Sequence, residues 1–238
     1  MSQEELFQGD KPKAPDAADP PSRKHPQPPN LRLVYTISLA LHAESIVKLL
    51  GDMGVTLLVD IRRSVNYQSH GFQARQADLM FVLSLCGIEY LHALNLAPSK
   101  ALRSAFWKMV KGQGIPDSFD PSWNAWTNFL RGYGDELRRH RPLQHGEFRE
   151  EAIYGPHEAI VLACACKNHC DCHRQYAAGI VGIWVEGLTV KHLYPPEPAF
   201  QHLTERVLMK GTRKLLKVLE CDIPEAGLTR ERPPGRQG

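Results

Sequence analysis

The residue types best equipped for chemistry are concentrated in one short segment, ACACKNHCDCHR. Here Cys164, Cys166, Cys170 and Cys172 follow a C-x-C-x(3)-C-x-C spacing, with His169 and His173 interleaved and Arg174 directly behind. A thiolate is both a nucleophile and a soft metal ligand, so two chemistries suit the pattern. In the first, Cys164 or Cys172 is a low-pKa nucleophile, His173 moves protons, and Arg174 with the amides of a helix start stabilises a developing oxyanion. In the second, Cys164, Cys166, Cys170 and Cys172 close a zinc site. The spacing favours the first. Structural zinc sites usually pair C-x-x-C-type knuckles from separated parts of a chain, whereas here one member of each pair falls in a strand or helix and is expected to point elsewhere. The expectation is thiol chemistry with no cofactor, and zinc is the alternative.

Such thiols need elements to hold them. The apolar run at 160–163 reads as a buried strand and the Ala- and Ile-rich stretch at 172–186 as a helix, which puts the cysteines in a strand-to-helix loop. In open α/β sheets the crevice beyond the carboxyl ends of the strands binds ligands, and a helix N-terminus there favours negative charge. Upstream, LRLVYTI reads as a first strand. Ile46, Leu49, Leu50 and Met53 form one face of a helix closed by Gly54, and VTLLVDIR is a second strand, reached by a parallel right-handed crossover. Leu79, Val82, Leu83 and Cys86 mark another helix, stopped by Gly87 before the strand IEYLH. Cys86 and Cys221 are read as small buried apolar residues.

Residues 99–140 read as a helical insert. Asp120 is its candidate N-cap, Pro121 its first helical residue, and Trp123, Trp126, Leu130, Tyr133 and Leu137 lie along one face, read as core packing. Gly132 and Gly134 argue against a continuous helix. A polar loop is expected at 141–157 and a last strand at GLTVKHLYP. The predicted fold is therefore α/β: a three-layer domain with a mainly parallel sheet, the helical insert between its third and fourth strands, and a C-terminal basic helix.

A chain of 238 residues with 42% hydrophobic content can bury one substantial core, assigned to residues 31–195. Residues 1–30 carry seven of the 18 prolines and read as a disordered leader, 196–222 as a helical extension and 223–238 as a disordered tail. The net charge of +3 neither demands nor excludes a nucleic-acid partner. No apolar run is long enough to span a membrane, and the N-terminus has no apolar signal core. Six cysteines in such a chain point to reduced thiols and a cytoplasmic location.

Other candidates stand on the same rim. Asp60, Arg62 and Arg63 follow the second strand and suit the binding of an anionic substrate, although Asp60 and Arg62 would equally form a strand-end salt bridge. His70 falls in a loop before a helix, and His92 ends a strand. The substrate class expected is an anionic small molecule, a nucleotide or nucleic acid, with a non-catalytic metal-holding or binding module as the alternative function.

The cysteine segment resembles the signature of the domain of unknown function 488 family, in which an apolar strand ends in a cysteine and a Cys-His-Arg triplet follows eight residues later. Cys164, Cys172, His173 and Arg174 match it. The blocks VYTIS, LLVDIRRS, HGFQARQADL and CGIEYLHALNL resemble successive family blocks over roughly residues 33–194. The chain departs from the pattern at Ser38, Leu39 and Ala40, where the family has Gly-His-Ser, so a polar rim residue is expected to be missing. It departs again at Cys166, which takes the place of an acidic residue. At the level of fold alone, the arrangement is also similar to the rhodanese and cysteine-phosphatase group, but the ten-residue step from Cys164 to Arg174 is longer than that group's cradle.

Overall fold

A computed structural model describes residues 29–66, 75–113, 124–166 and 172–193. The elements follow in order: β1 (Leu33–Ser38), α1 (Ala43–Asp52), β2 (Leu57–Asp60), α2 (Gln76–Leu85), β3 (Glu89–His92), α3 (Lys100–Gln113), α4 (Asn124–His140), β4 (Ala159–Cys164), α5 (His173–Trp184) and β5 (Thr189–His192). The expectations for the leader, the C-terminal helix and tail, His70, His169, Cys170, Asp120, Pro121, Trp123 and Cys221 lie outside the described residues.

All five strands pair in parallel, in the order β3-β2-β4-β1-β5. This confirms the α/β class and adds what sequence order does not encode: β4 is inserted between β1 and β2, so those two are not neighbours. Every residue of β4 is buried, as the apolar run AIVLAC requires of a central strand covered on both faces. Alternation along the strands splits the core in two. Ile37, Leu58 and Val161 face α1 and α2, packing on Ile46, Leu50, Leu79 and Leu83. Val34, Val59 and Leu162 face the other layer, with Trp126, Phe129, Tyr133, Phe148, Tyr176 and Val181. On α5, Ala177, Ala178 and Gly179 are buried, and their small side chains let that helix lie close to the sheet.

Four sequence expectations are corrected. Met53 lies at the C-cap of α1 and is 39% exposed, because the helix has already ended and the positive φ of Gly54 turns the chain. Cys86 caps α2 and is exposed, so it is no core residue. α4 runs unbroken through Gly132 and Gly134. A Cβ at Gly132 would come within 2.6 Å of Leu102 Cδ1, so this glycine serves close packing of α3 on α4 and not a break. Finally, residues 148–153 within the supposed polar loop form a π-helical turn that buries Phe148, Arg149, Ala152 and Ile153.

Candidate functional site

The strand register sets out the rim. Ser38 pairs with Cys164, Asp60 with Ala163, and Asp60 with His92, so the carboxyl ends of β1, β2, β3 and β4 lie side by side. Beyond Cys164 the chain bends at Ala165, and Cys166, two residues on and so on the same side as Cys164, is drawn in until its sulfur lies 3.7 Å from that of Cys164. Cys172 is the N-cap of α5, in extended conformation. The outcome is a cluster: the sulfurs of Cys164, Cys166 and Cys172 all lie within 4.8 Å of one another. Their spacing had suggested divergence; the end of β4 and the start of α5 bring the three together.

The cluster is graded from exposed to buried. Cys166 is exposed, Cys164 is 4% exposed and Cys172 1%. The Cys164 thiol donates to Cys166 Sγ at 3.7 Å. Burial alone would push the Cys172 thiol up. Hydrogen bonds from the Cys164 and Cys166 thiols, the Arg174 charge and the Arg174 backbone amide outweigh it, and Cys172 is held well below the usual thiol value. Cys166 moves the opposite way. Its hydrogen bonds to Cys164 and Cys172, then its burial and their charges, push its thiol far up. The two shifts run in opposite directions, so of these two thiols the buried Cys172 is the easier to ionise.

The surrounding contacts fix this geometry. The Cys166 carbonyl accepts from Ser38 Oγ at 2.8 Å and from Arg174 Nη1 at 2.6 Å. Ser38 Oγ in turn accepts from the Ala40 amide at 3.1 Å. Ser38 thus puts a hydroxyl at the end of β1 and ties that strand to the cysteine loop, while Leu39 beside it is fully buried. Arg174 is 2% exposed, so it acts from behind the thiols. His173 Nε2 lies 3.0 Å from the Ile61 carbonyl, which can only accept, so Nε2 carries the proton and Nδ1 is left facing Cys172 Sγ at 3.9 Å.

Opposite the thiols stands the β2 end. Asp60 is fully buried and grips Arg62 with both carboxylate oxygens, at 2.9 and 2.6 Å, while accepting from Tyr90 Oη at 3.0 Å. The nearby carboxylate adds to burial in pushing the Tyr90 phenol up. His92 Nε2 donates to the Arg62 carbonyl at 2.8 Å. Asp60 and His92 thus position Arg62, and neither lines the cleft.

Between these two sides opens a cleft of about 230 Å³. Cys164, Cys166, His173, Arg62 and Arg63 line it, as do Arg103 and the aromatic rings of Phe106, Trp107, Trp126 and Phe129. Trp126 and Phe129 stack at 5.2 Å with planes 11° apart, and Phe129, Tyr133 and His173 continue as ring-on-ring neighbours to the thiols. Trp126 keeps its expected core role and also walls the cleft. Sequence reasoning missed Arg103, Phe106 and Trp107. Their i, i+3, i+4 spacing on an amphipathic helix was the available signal, hidden in a segment read only as part of an insert.

The family model for the domain of unknown function DUF488 matches residues 42–181. The chain belongs to the DUF488 family. The match takes in Asp60, Arg62, Cys164, Cys172, His173 and Arg174, so both sides of this DUF488 cleft fall within the family segment, while β1 with Ser38 precedes it. No curated protein and no solved structure matches the chain. Among the described residues, no helix is long and apolar enough to cross a membrane.

Proposed function

We propose that this DUF488 protein is a thiol-dependent enzyme, a hydrolase or transferase acting on an anionic substrate through a covalent thiol intermediate. The observation that carries the reading is the convergence of three thiols on a cleft whose opposite lining is arginine. Of the two nucleophiles expected from sequence, Cys164 lines the cleft and Cys172 lies behind it, which divides the labour. Cys172 stores the negative charge. As Cys164 attacks the electrophilic centre its proton passes to the Cys172 thiolate, whose sulfur lies within 4.8 Å, and the new bond to sulfur expels the leaving group with its bonding electrons. Arg63, on the cleft lining, holds the anion with Arg62 braced beside it by Asp60, and Arg174 keeps the cysteine loop in place. The described cysteines are all free thiols, which suits a reducing, cytoplasmic setting. The likeness to rhodaneses and cysteine phosphatases remains an analogy of strand-end placement.

Rapid quenching after incubation with acyl phosphates and nitrophenyl phosphate should trap a mass increment on the peptide carrying Cys164. Cys164→Ser and Cys172→Ser should each lose that increment, and turnover should fall by about 10³-fold or more. Full turnover in both variants would sink the mechanism.

A second reading rests on the same sulfurs. Metal–thiolate bonds of about 2.3 Å in a tetrahedron place neighbouring sulfurs about 3.8 Å apart, close to the 3.7 Å between Cys164 and Cys166. Among the described residues, Cys164, Cys166 and Cys172 would supply three ligands of such a site. Stoichiometric zinc in protein purified under reducing conditions, with loss of thermal stability on chelation, would establish this reading over the nucleophile.

A further inference from the structure

Resting on the reading of this cleft as a substrate site, we propose that the anion it takes is a nucleotide, whose base lies on the aromatic wall and whose phosphate lies on Arg63 and Arg103. Two independent features of the lining meet here. The first is charge. The described lining residues include three arginines and no Asp or Glu. Arg62 is largely neutralised by Asp60, which leaves Arg63 and Arg103 as the effective positive groups. Arg63 is aimed in advance: Nε donates to the Pro98 carbonyl at 3.1 Å and Nη2 to the Ala97 carbonyl at 2.9 Å. A guanidinium fixed by two carbonyls loses little freedom when its remaining donors meet a phosphate.

The second feature is the flat wall. Trp107 is 49% exposed at the cleft, an unusual place for a large ring unless something covers it. Phe106 meets it at 5.3 Å with planes 64° apart, which props the indole without hiding its face. Arg103 and Trp107 stand one helical turn apart on α3, so cation and ring share a face at a distance that suits a phosphate and its own base. α3 begins firmly, with Ser99 Oγ accepting from the Leu102 amide and the Ser99 amide donating to Glu136, so this face is presented by a rigid element. A simple inorganic anion would use the arginines and leave the rings idle, and an apolar ligand would do the reverse. The cleft, at about 230 Å³, is smaller than the about 300–1,000 Å³ of drug-sized sites and suits one base with its phosphate reaching the rim.

The same chemistry is offered by a free nucleotide and by a nucleotide within a single strand, and the test separates them. Calorimetric titration of full-length protein under reducing conditions would use a nucleoside 5′-monophosphate, the nucleoside without phosphate, ribose 5-phosphate without a base, and a short single-stranded oligonucleotide. The monophosphate should bind at least about tenfold tighter than either fragment, and Trp107→Ala should weaken it by about 5- to 100-fold, in the range of one base stack. Arg103→Ala should weaken binding and flatten its salt dependence. A tighter oligonucleotide would identify the source as a strand, and a tighter monophosphate as the free nucleotide. Equal binding of ribose 5-phosphate and the monophosphate, or no binding of any probe, would overturn the proposal. Its fate is separable from that of the enzyme reading. Nucleotide binding in a protein whose turnover survives Cys164→Ser would sink the thiol mechanism alone, and a thiol adduct in a protein that ignores nucleotides would sink this inference alone.

Discussion

The two sides of the cleft handle charge in opposite ways. On the β2 side, Asp60 and Arg62 cancel each other within a buried, bidentate pair braced by Tyr90 and His92. On the β4 side, three sulfurs lie together, and hydrogen bonds from its neighbours with the Arg174 guanidinium behind hold the buried Cys172 below the usual thiol value. The first arrangement is satisfied and has little left to give a substrate. The second places Cys164 and Cys166 on the cleft lining, where thiol chemistry is proposed. The comparison sets a closed ion pair against an open cluster of thiols.

The largest effect should come from breaking the satisfied wall. Asp60→Ala would strand a buried guanidinium and cost about 3–5 kcal/mol in denaturant unfolding. A loss below about 1 kcal/mol would mean that the pair does not anchor this wall. Next in size is the pH response of the other wall. Cys172 has its thiol value lowered by folding, so its stabilising contribution is complete above the ordinary thiol value and disappears as pH falls through the depressed one. With chelator present, the stability gap between wild type and Cys172→Ser should therefore widen as pH rises across that window, and far-ultraviolet thiolate absorbance should vanish in the variant. A gap that stays flat with pH would show that Cys172 carries no thiolate. The smallest effect is expected for Ser38→Ala, about 1 kcal/mol for lost hydrogen bonds to the Cys166 carbonyl and the Ala40 amide. That variant should nevertheless disturb thiol reactivity more than stability, measured as alkylation rate against melting temperature. Equal reactivity would leave Ser38 a purely structural residue.

The sequence disclosed the strands and most helices because their apolar periodicities are strong: Ile46 and Leu50, Leu79 and Leu83, and the run in β4 are all buried where their spacing placed them. It disclosed the cysteines because their density is conspicuous. What it hid depends on contacts between distant segments. The approach of Cys172 to Cys164 and Cys166, the hydroxyl of Ser38 on a carbonyl 128 residues away, and the placing of Trp107 and Arg63 on one cleft leave no local periodic trace. Asp60 with Arg62 was visible only as two open possibilities; the salt bridge forms, and Arg62 also lines the cleft. His92 was placed correctly on the rim, yet its role of holding Arg62 could not be read from a lone histidine ending a strand.

The position of β4 has a consequence for how the protein comes into being. β1 pairs only with β4 and β5, so from the moment it leaves the ribosome it waits, without a sheet neighbour, until Ala159 and the residues after it have been made. Keying the last-arriving central strand between β1 and β2 is a slow, non-local event, and it is the same event that delivers Cys164 to the rim. Assembly of the cysteine cluster is thereby tied to completion of the sheet, so a half-made chain has not yet brought these sulfurs together.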